Sequence, residues 1–170
     1  FKDTTYTDKN GLTNDYKLST FNMSAGGSEI GNYVFDNNQN LTNVLISPSV
    51  TTMGLRPFSN CPKLQTVDFG GGPYFVTDRS IIYGLKDGYK NFIVQCFESR
   101  GSFGTAGTVA ASELVGITGM AEEAFMDCNE IGTVDLSESS ISNVPQNAFR
   151  NTGSLYNVSL PTTCRSISKD

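Results

Sequence analysis

The chain contains no histidine. That absence excludes Ser-His-Asp and Cys-His catalysis, histidine-ligated zinc, and the usual side chain that exchanges protons near neutral pH. Basic clusters are missing too: 12 Lys and Arg are scattered among 17 Asp and Glu, for a net charge of −5. Phosphate recognition needs a basic stripe, so nucleic acid is not an expected partner. No apolar run approaches the roughly 18 residues that a membrane-spanning helix requires. No starting methionine or secretory leader precedes Phe1-Lys2-Asp3. A leader removed or left off gives the same start, so that absence does not argue for the cytoplasm. The four cysteines lack metal-ligand spacing, and without histidine no metal or cofactor is expected.

What is present points to a single folded domain over residues 1–170. Its length suffices to enclose a continuous core. A composition of 38% hydrophobic and 17% charged residues suits a globular chain rather than a disordered one. Seventeen glycines, with many Asn, Ser and Thr, imply frequent turns and short β elements.

Internal repetition decides the fold. The spacing of Leu64, Val67 and Phe69 recurs at Leu41, Val44, Ile46 and at Leu18, Phe21, Met23, each set displaced by 23 residues. Ile131, Val134, Leu136 and Leu155, Val158, Leu160 repeat it with a displacement of 24. Six residues before each leading Leu or Ile stand Leu12, Phe35, Phe58, Phe125 and Phe149. Further columns hold Ile30, Met53, Met120, Val144 and, three residues earlier, Val50, Ile117, Ile141, with Gly27 the exception. In Leu-x-x-Val-x-Leu the last two apolar residues alternate as in a strand. A unit this short cannot bury that face alone, so successive units must stack as parallel strands about 4.8 Å apart. The Phe column then forms an aromatic stack, each ring contributing on the order of 1.5–3 kcal/mol through burial.

The strings Val50-Thr51-Thr52-Met53-Gly54, Pro57-Phe58-Ser59-Asn60-Cys61-Pro62-Lys63-Leu64 and Glu123-Ala124-Phe125-Met126-Asp127-Cys128 resemble BspA-like leucine-rich repeats. Ala148-Phe149 and Leu160-Pro161 fit the same pattern. The resemblance implies a leucine-rich-repeat solenoid: a β-rich right-handed coil with one short parallel strand per repeat and short helical or 3-10 turns. It also implies a bacterial source and an extracellular or cell-surface location. Regular repeats cover about residues 12–69 and 115–167. The first copy is degenerate, with Leu12 in the Phe slot, and reads as a cap.

Residues 70–114 break the period. Phe58 and Phe125 lie 67 residues apart, 44 more than one unit. The stretch opens with the breaker Gly70-Gly71-Gly72-Pro73. Apolar β-formers around Lys86-Asp87-Gly88 then read as paired strands joined by a turn. Two readings stand open: two irregular coils that continue the solenoid, or a hairpin projecting from one edge. Similar inserts occur between repeats in the resembled family, which favours variant coils. Ser99 to Ala111, rich in Gly, Ser, Ala and Thr, reads as a mobile loop.

Cys61 and Cys128 share one repeat column, three residues after Phe, and Cys164 replaces an aliphatic column residue; all three read as small buried hydrophobes, with a disulfide, which would suit an exported protein, or a metal site as the alternative. Cys96 falls in the insert and in no column. Carboxylate pairs are the remaining catalytic option, and Asp68 and Asp135 occupy equivalent outward strand positions. Solvated strand faces account for them better, because no pocket is in evidence to tune their pKa values. Asp8-Lys9-Asn10-Gly11 resembles half a calcium loop but lacks the downstream glutamate, so it reads as a turn. Asn22-Met23-Ser24, Asn40-Leu41-Thr42 and Asn157-Val158-Ser159 match the N-glycosylation pattern. A bacterial source would leave them unmodified.

Stacked strands display outward residues in columns: Thr20, Asn43, Thr66, Thr133, Asn157 and Asn22, Leu45, Asp68, Asp135, Ser159. This uncharged-to-acidic ribbon on a rigid frame suits the holding of a large partner. The ligand-binding candidates are Asn43, Leu45, Thr66, Asp68, Thr133, Asp135, Asn157 and Ser159. The expected function is non-enzymatic: an adhesion or protein-binding module for a host or matrix protein. The alternatives are a structural spacer in a larger surface protein, or a module that binds or cleaves a cell-surface glycan. Aromatic residues would favour glycans, and these columns contain none; Tyr156 lies one position earlier. The chain stops after Cys164 and Ile167 and before the next Phe position. Either its last residues cap the coil or the array continues.

Overall fold

The computed structural model describes residues 5–7, 13–15, 18–23, 25–102 and 107–168. The protein is a β-solenoid of about six turns, and its described residues contain almost no helix. The short helical turns expected from the sequence reduce to a single 3-10 turn at Ala111–Glu113. In chain order the strands are β1 (Thr5–Thr7), β2 (Thr13–Asp15), β3 (Thr20–Asn22), β4 (Glu29–Ile30), β5 (Asn43–Leu45), β6 (Thr52–Met53), β7 (Thr66–Asp68) and β8 (Phe75–Asp78). They continue as β9 (Ile81–Lys86), β10 (Tyr89–Cys96), β11 (Thr108–Val109), β12 (Gly119–Met120), β13 (Thr133–Asp135), β14 (Asn143–Val144), β15 (Asn157–Ser159) and β16 (Ser166–Ile167). Strands β1 and β2 form an antiparallel pair at the start. Leu12 and the Asp8–Gly11 turn lie outside the described residues.

The repeat columns become ladders. Strands β3, β5 and β7 pair in parallel, with Phe21 opposite Val44 and Val44 opposite Val67. Strands β11, β13 and β15 do the same, with Val109 opposite Val134 and Val134 opposite Val158. The column of Ile30 and Met53 forms a second ladder on another side of the coil, with β4 on β6 and β14 on β16. The aromatic stack forms as the spacing requires. Phe35 and Phe58 lie 5.0 Å apart between ring centroids at an interplanar angle of 3°. Phe125 and Phe149 lie 5.3 Å apart at 17°.

A second device serves this Phe face. The residues two before and two after each Phe have positive φ: Tyr33, Arg56, Glu123, Asn147 and Asn37, Asn60, Asp127, Asn151. Asn and Asp tolerate that left-handed conformation better than other L-residues. It turns alternate N–H groups toward the next coil. Tyr33, Phe35 and Asn37 donate to Leu55, Pro57 and Ser59 at 2.8–3.0 Å. Glu123, Phe125 and Asp127 donate to Gln146, Ala148 and Arg150 at 2.9–3.1 Å.

The insert follows neither sequence reading by itself. One coil of it continues the solenoid: β11 joins the main ladder, and β10 takes the second-ladder position beside β12, with Ile93 opposite Met120. The rest is an antiparallel meander β8-β9-β10, and it does not project. Ile81, Ile82 and Tyr83 are all fully buried, because β9 and β10 stand between two cores. Ile81, Tyr83, Ile93 and Cys96 face the core of the later coils. Ile82, Val94 and Phe97 face that of the earlier ones. The period-2 alternation of a strand thus supplies a wall apolar on both faces.

At this wall the main ladder is interrupted, since β7 and β11 belong to separate sheets. Side chains replace the missing carbonyls. Phe58 N–H donates to Gln95 Oε1 at 3.2 Å and Asn60 N–H to Glu98 Oε1 at 2.8 Å. These are the donors that bond backbone carbonyls in neighbouring coils. The burial of Gln95 follows from this role.

The expected mobile loop is corrected at both flanks. Ser99 and Arg100 are buried; Ser99 Oγ donates to Leu64 O. Arg100 donates to both carboxylate oxygens of buried Glu113 at 3.0 Å, and to the carbonyls of Arg79 and Thr108. Thr108 and Val109 form β11. The ion pair at both oxygens and the carbonyl bonds hold the two terminal nitrogens of this buried guanidinium. Residues 103–106 lie outside the described residues.

Candidate binding surface

The outward columns are assembled in register. Asn43 sits opposite Thr20 and Thr66, Leu45 opposite Asn22 and Asp68. Thr133 sits opposite Thr108 and Asn157, and Asp135 opposite Ser159. The interruption divides them, so the eight predicted residues form two patches rather than one ribbon. Asn43, Leu45, Thr66 and Asp68 line a shallow depression of about 340 Å³ with Thr20 and Asn22. Thr133, Asp135, Asn157 and Ser159 make the second patch. Leu45 is half-buried in its ladder.

The two aspartates share a local task. Asp68 Oδ1 accepts from Gly70 N–H at 2.8 Å, and Asp135 Oδ1 from Ser137 N–H at 3.0 Å. Each carboxylate thereby closes the turn that ends its strand. The Ser137 side chain and backbone N–H together hold the Asp135 carboxyl below its ordinary value. An aspartate so held stays ionised at neutral pH, which suits a hydrogen-bond acceptor and not a general acid.

Tyr156, one position before the outward column, flanks the second patch. It is 83% exposed, and its N–H donates to Gly132 O at 3.0 Å. Its ring lies across Gly132, where an added Cβ would come within 2.9 Å of ring atom Cε1. The signal was present: Gly132 and Tyr156 are 24 residues apart, one repeat, so the small residue makes room for the large one. An open groove of about 690 Å³ lies beside the β9–β10 turn. Lys86, Asp87, exposed Tyr89, Asn91, Ser112 and Val115 line it.

A third cluster is ionic. Arg56, buried beside the Phe stack, lies 2.8 Å from Glu98 and 2.8 Å from Asp127, with Glu123 at 3.9 Å. Tyr33 Oη donates to Glu123 at 3.1 Å, bringing residues from four coils together. Burial raises the Glu98 carboxyl, against the lowering effects of Asn60 N–H and Arg56. Around Arg56 lies a hollow of about 330 Å³. The cluster clasps the two halves across the wall, and its cation is already a protein side chain.

All four cysteines are free, with Cys61, Cys96 and Cys128 buried and Cys164 half-buried. The Phe+3 column also satisfies a carbonyl. Asn38 Nδ2 and Cys61 Sγ both donate to Phe35 O, at 2.7 and 3.2 Å, and Thr152 Oγ1 to Phe149 O at 2.6 Å. Burial pushes the Cys61 thiol up to about 12, which makes it unreactive. Among the described residues no group of three or more His, Cys, Asp or Glu could hold a metal ion. No helix among them is long and apolar enough to cross a membrane.

The pattern of the BspA type leucine rich repeat region matches this sequence in six copies, over residues 2–80 and 108–170. No curated protein matches. The solved pneumococcal vaccine antigen PcpA has a similar fold, with a TM-score of 0.66 at 16% identity over 81% of this chain and 32% of that one. A leucine rich cell surface protein from Faecalibacterium prausnitzii gives a TM-score of 0.45 at 20% identity, over 92% of this chain and 37% of that one. A leucine-rich repeat protein from Eubacterium ventriosum gives 0.43 at 15%, over 83% and 54%. This chain thus spans about a third of the length of the first two. The stacked phenylalanines, the two parallel ladders and the six matching copies place it in the BspA-type leucine-rich-repeat family, to which the chain belongs.

Proposed function

We propose that this chain is a non-enzymatic module of a surface protein and binds a host or matrix protein through its outward strand faces. The observation that carries the reading is the second patch. Thr133, Asp135, Asn157 and Ser159 stand in register, and the exposed ring of Tyr156 flanks them at one end, across Gly132. Exposed aromatics among hydrogen-bonding groups are the usual anchors of protein interfaces. The frame is fixed by coil-to-coil hydrogen bonds, so little order has to be gained on binding. Family membership supports the surface location. The turn-closing bonds of Asp68 and Asp135 support a non-catalytic role.

The test is binding of the 170-residue chain to a panel of immobilised extracellular-matrix proteins. Binding to at least one is expected, and Tyr156→Ala should weaken it about tenfold or more. Failure to bind any of them would overturn the adhesion reading.

One observation favours glycan binding as a second reading. The groove beside Tyr89 combines an exposed aromatic face with Lys86, Asp87, Asn91 and Ser112, which could stack against and hydrogen-bond a sugar. Titration with neutral oligosaccharides should then shift resonances of Tyr89 and Asn91, and Tyr89→Ala should abolish the shifts while leaving matrix-protein binding intact.

A further inference from the structure

We propose that Cys96 and Cys128 join in a disulfide when the chain folds in an oxidising medium, tying the wall strand β10 to the coil that carries Phe125. The repeat column accounts for Cys128, as it does for Cys61, but Cys96 belongs to no column, and its position beside Cys128 is a property of the fold. Cys96 N–H donates to Ala124 O at 2.7 Å, which fixes the register of the two segments. Cys128 Sγ lies 3.7 Å from Cys96 O. Cys96 Sγ and Cys128 Sγ point at one acceptor, Phe97 O, at 3.6 and 3.5 Å. Both sulfurs therefore crowd a single carbonyl, which brings the two side chains close enough for bridging to be tested. The remaining cysteines point elsewhere: Cys61 Sγ to Phe35 O at 3.2 Å, and Cys164 Sγ to Ser166 O at 3.6 Å.

The chemistry is thiol–disulfide exchange with a small-molecule disulfide. One cysteine loses its proton and its thiolate attacks the external disulfide, forming a mixed disulfide and expelling one small thiolate, which takes up a proton. The second cysteine, deprotonated in turn, attacks the protein-bound sulfur and expels the other small thiol. The two protein thiols are oxidised by two electrons, and one external disulfide becomes two thiols. Both cysteines are buried once folding is complete, and burial raises the Cys128 thiol well above its ordinary value. Exchange therefore takes place before the core closes, and the finished bond is shielded from reductants. The pairing does not depend on what the surface binds.

The test is refolding of the reduced, unfolded 170-residue chain in a mixture of oxidised and reduced glutathione. Circular dichroism reports the fold, and alkylation under denaturing conditions with mass spectrometry reports the thiols. The refolded chain should be lighter by two hydrogens, with a cross-linked peptide containing Cys96 and Cys128, and with Cys61 and Cys164 alkylated. A Cys61→Ala/Cys164→Ala variant should keep the link, and Cys96→Ala should lose it. Four alkylatable thiols in a chain with the native spectrum would overturn the proposal, as would a bridge to Cys61 or Cys164.

Discussion

Arg56 holds a left-handed backbone position, φ 38°, at a place where Asn147 stands in a later coil. Its side chain serves Glu98 and Asp127 across the wall. Strain of this kind persists where surrounding contacts over-determine it. Replacing Arg56 by Met leaves the partly buried carboxylates of Glu98 and Asp127 without their counter-charge, and the expected loss of stability at neutral pH is about 1.5–3 kcal/mol. The sign with pH follows from Glu98, whose folded-state pKa is raised above its ordinary value of 4.5 by burial. A carboxylate so raised contributes stability that is complete below the unfolded value and lost as pH rises through the folded one. Removing the guanidinium raises it further. Urea unfolding of Arg56→Met across an acid-to-neutral series should therefore show a deficit that shrinks as pH falls. A constant deficit would mean that Arg56 acts through packing alone. Of the positive-φ positions, those held by Asn37, Asn60, Asn147 and Asn151 agree with the general reading of Asn as a turn former, because Asn has a left-handed preference of its own. Arg56 and Glu123 were hidden, because their conformation is imposed by the coils on either side.

At the scale of elements, the turn between β9 and β10 was legible from Asp87-Gly88. Its φ values, 52° and 81°, are those of the tight hairpin turn that Asp-Gly favours. Gly88→Val should cost about 1–2 kcal/mol, since a β-branched residue resists that conformation, and chemical denaturation of the variant measures it. The Phe and Leu columns were legible because the inner regular coils bury the same positions, although Leu160 in the last coil is exposed. The coil ending in β11 was not, because it announces itself by one buried Val109 in a run of Ala, Gly and Thr. The wall coil was masked by its geometry. Register shifts fall between Lys90 and Phe92 and between Ile93 and Gln95, and Phe97 follows Ile93 by four residues where Phe58 follows Met53 by five, so the columns of this coil fall out of step with the repeat. The outward columns stand in register as the repeat spacing requires, but their division into two patches depends on the wall, which no single repeat encodes.

In the whole molecule, the wall divides the interior into two cores that share strands β9 and β10. Solenoid stability is largely a sum of nearest-neighbour terms, so damage on one face of the wall should be felt first on that side. Ile82→Ala should lower amide protection mainly in coils carrying Phe35 and Phe58, and Ile81→Ala mainly in those carrying Phe125 and Phe149. Each should cost about 2–5 kcal/mol. Site-resolved hydrogen exchange distinguishes this from uniform loss, which would indicate one indivisible cooperative unit.

The gap between β7 and β11 has a mechanical meaning for a protein under tension. Elsewhere, adjoining turns of the spiral are zipped by backbone bonds lying along its length. A tug on the two ends loads that zipper one tooth at a time. Between the halves the teeth are side chains, those of Gln95, Glu98 and Arg56. Stretching should part the molecule there first, as at a fuse, leaving each rigid block with its own patch intact.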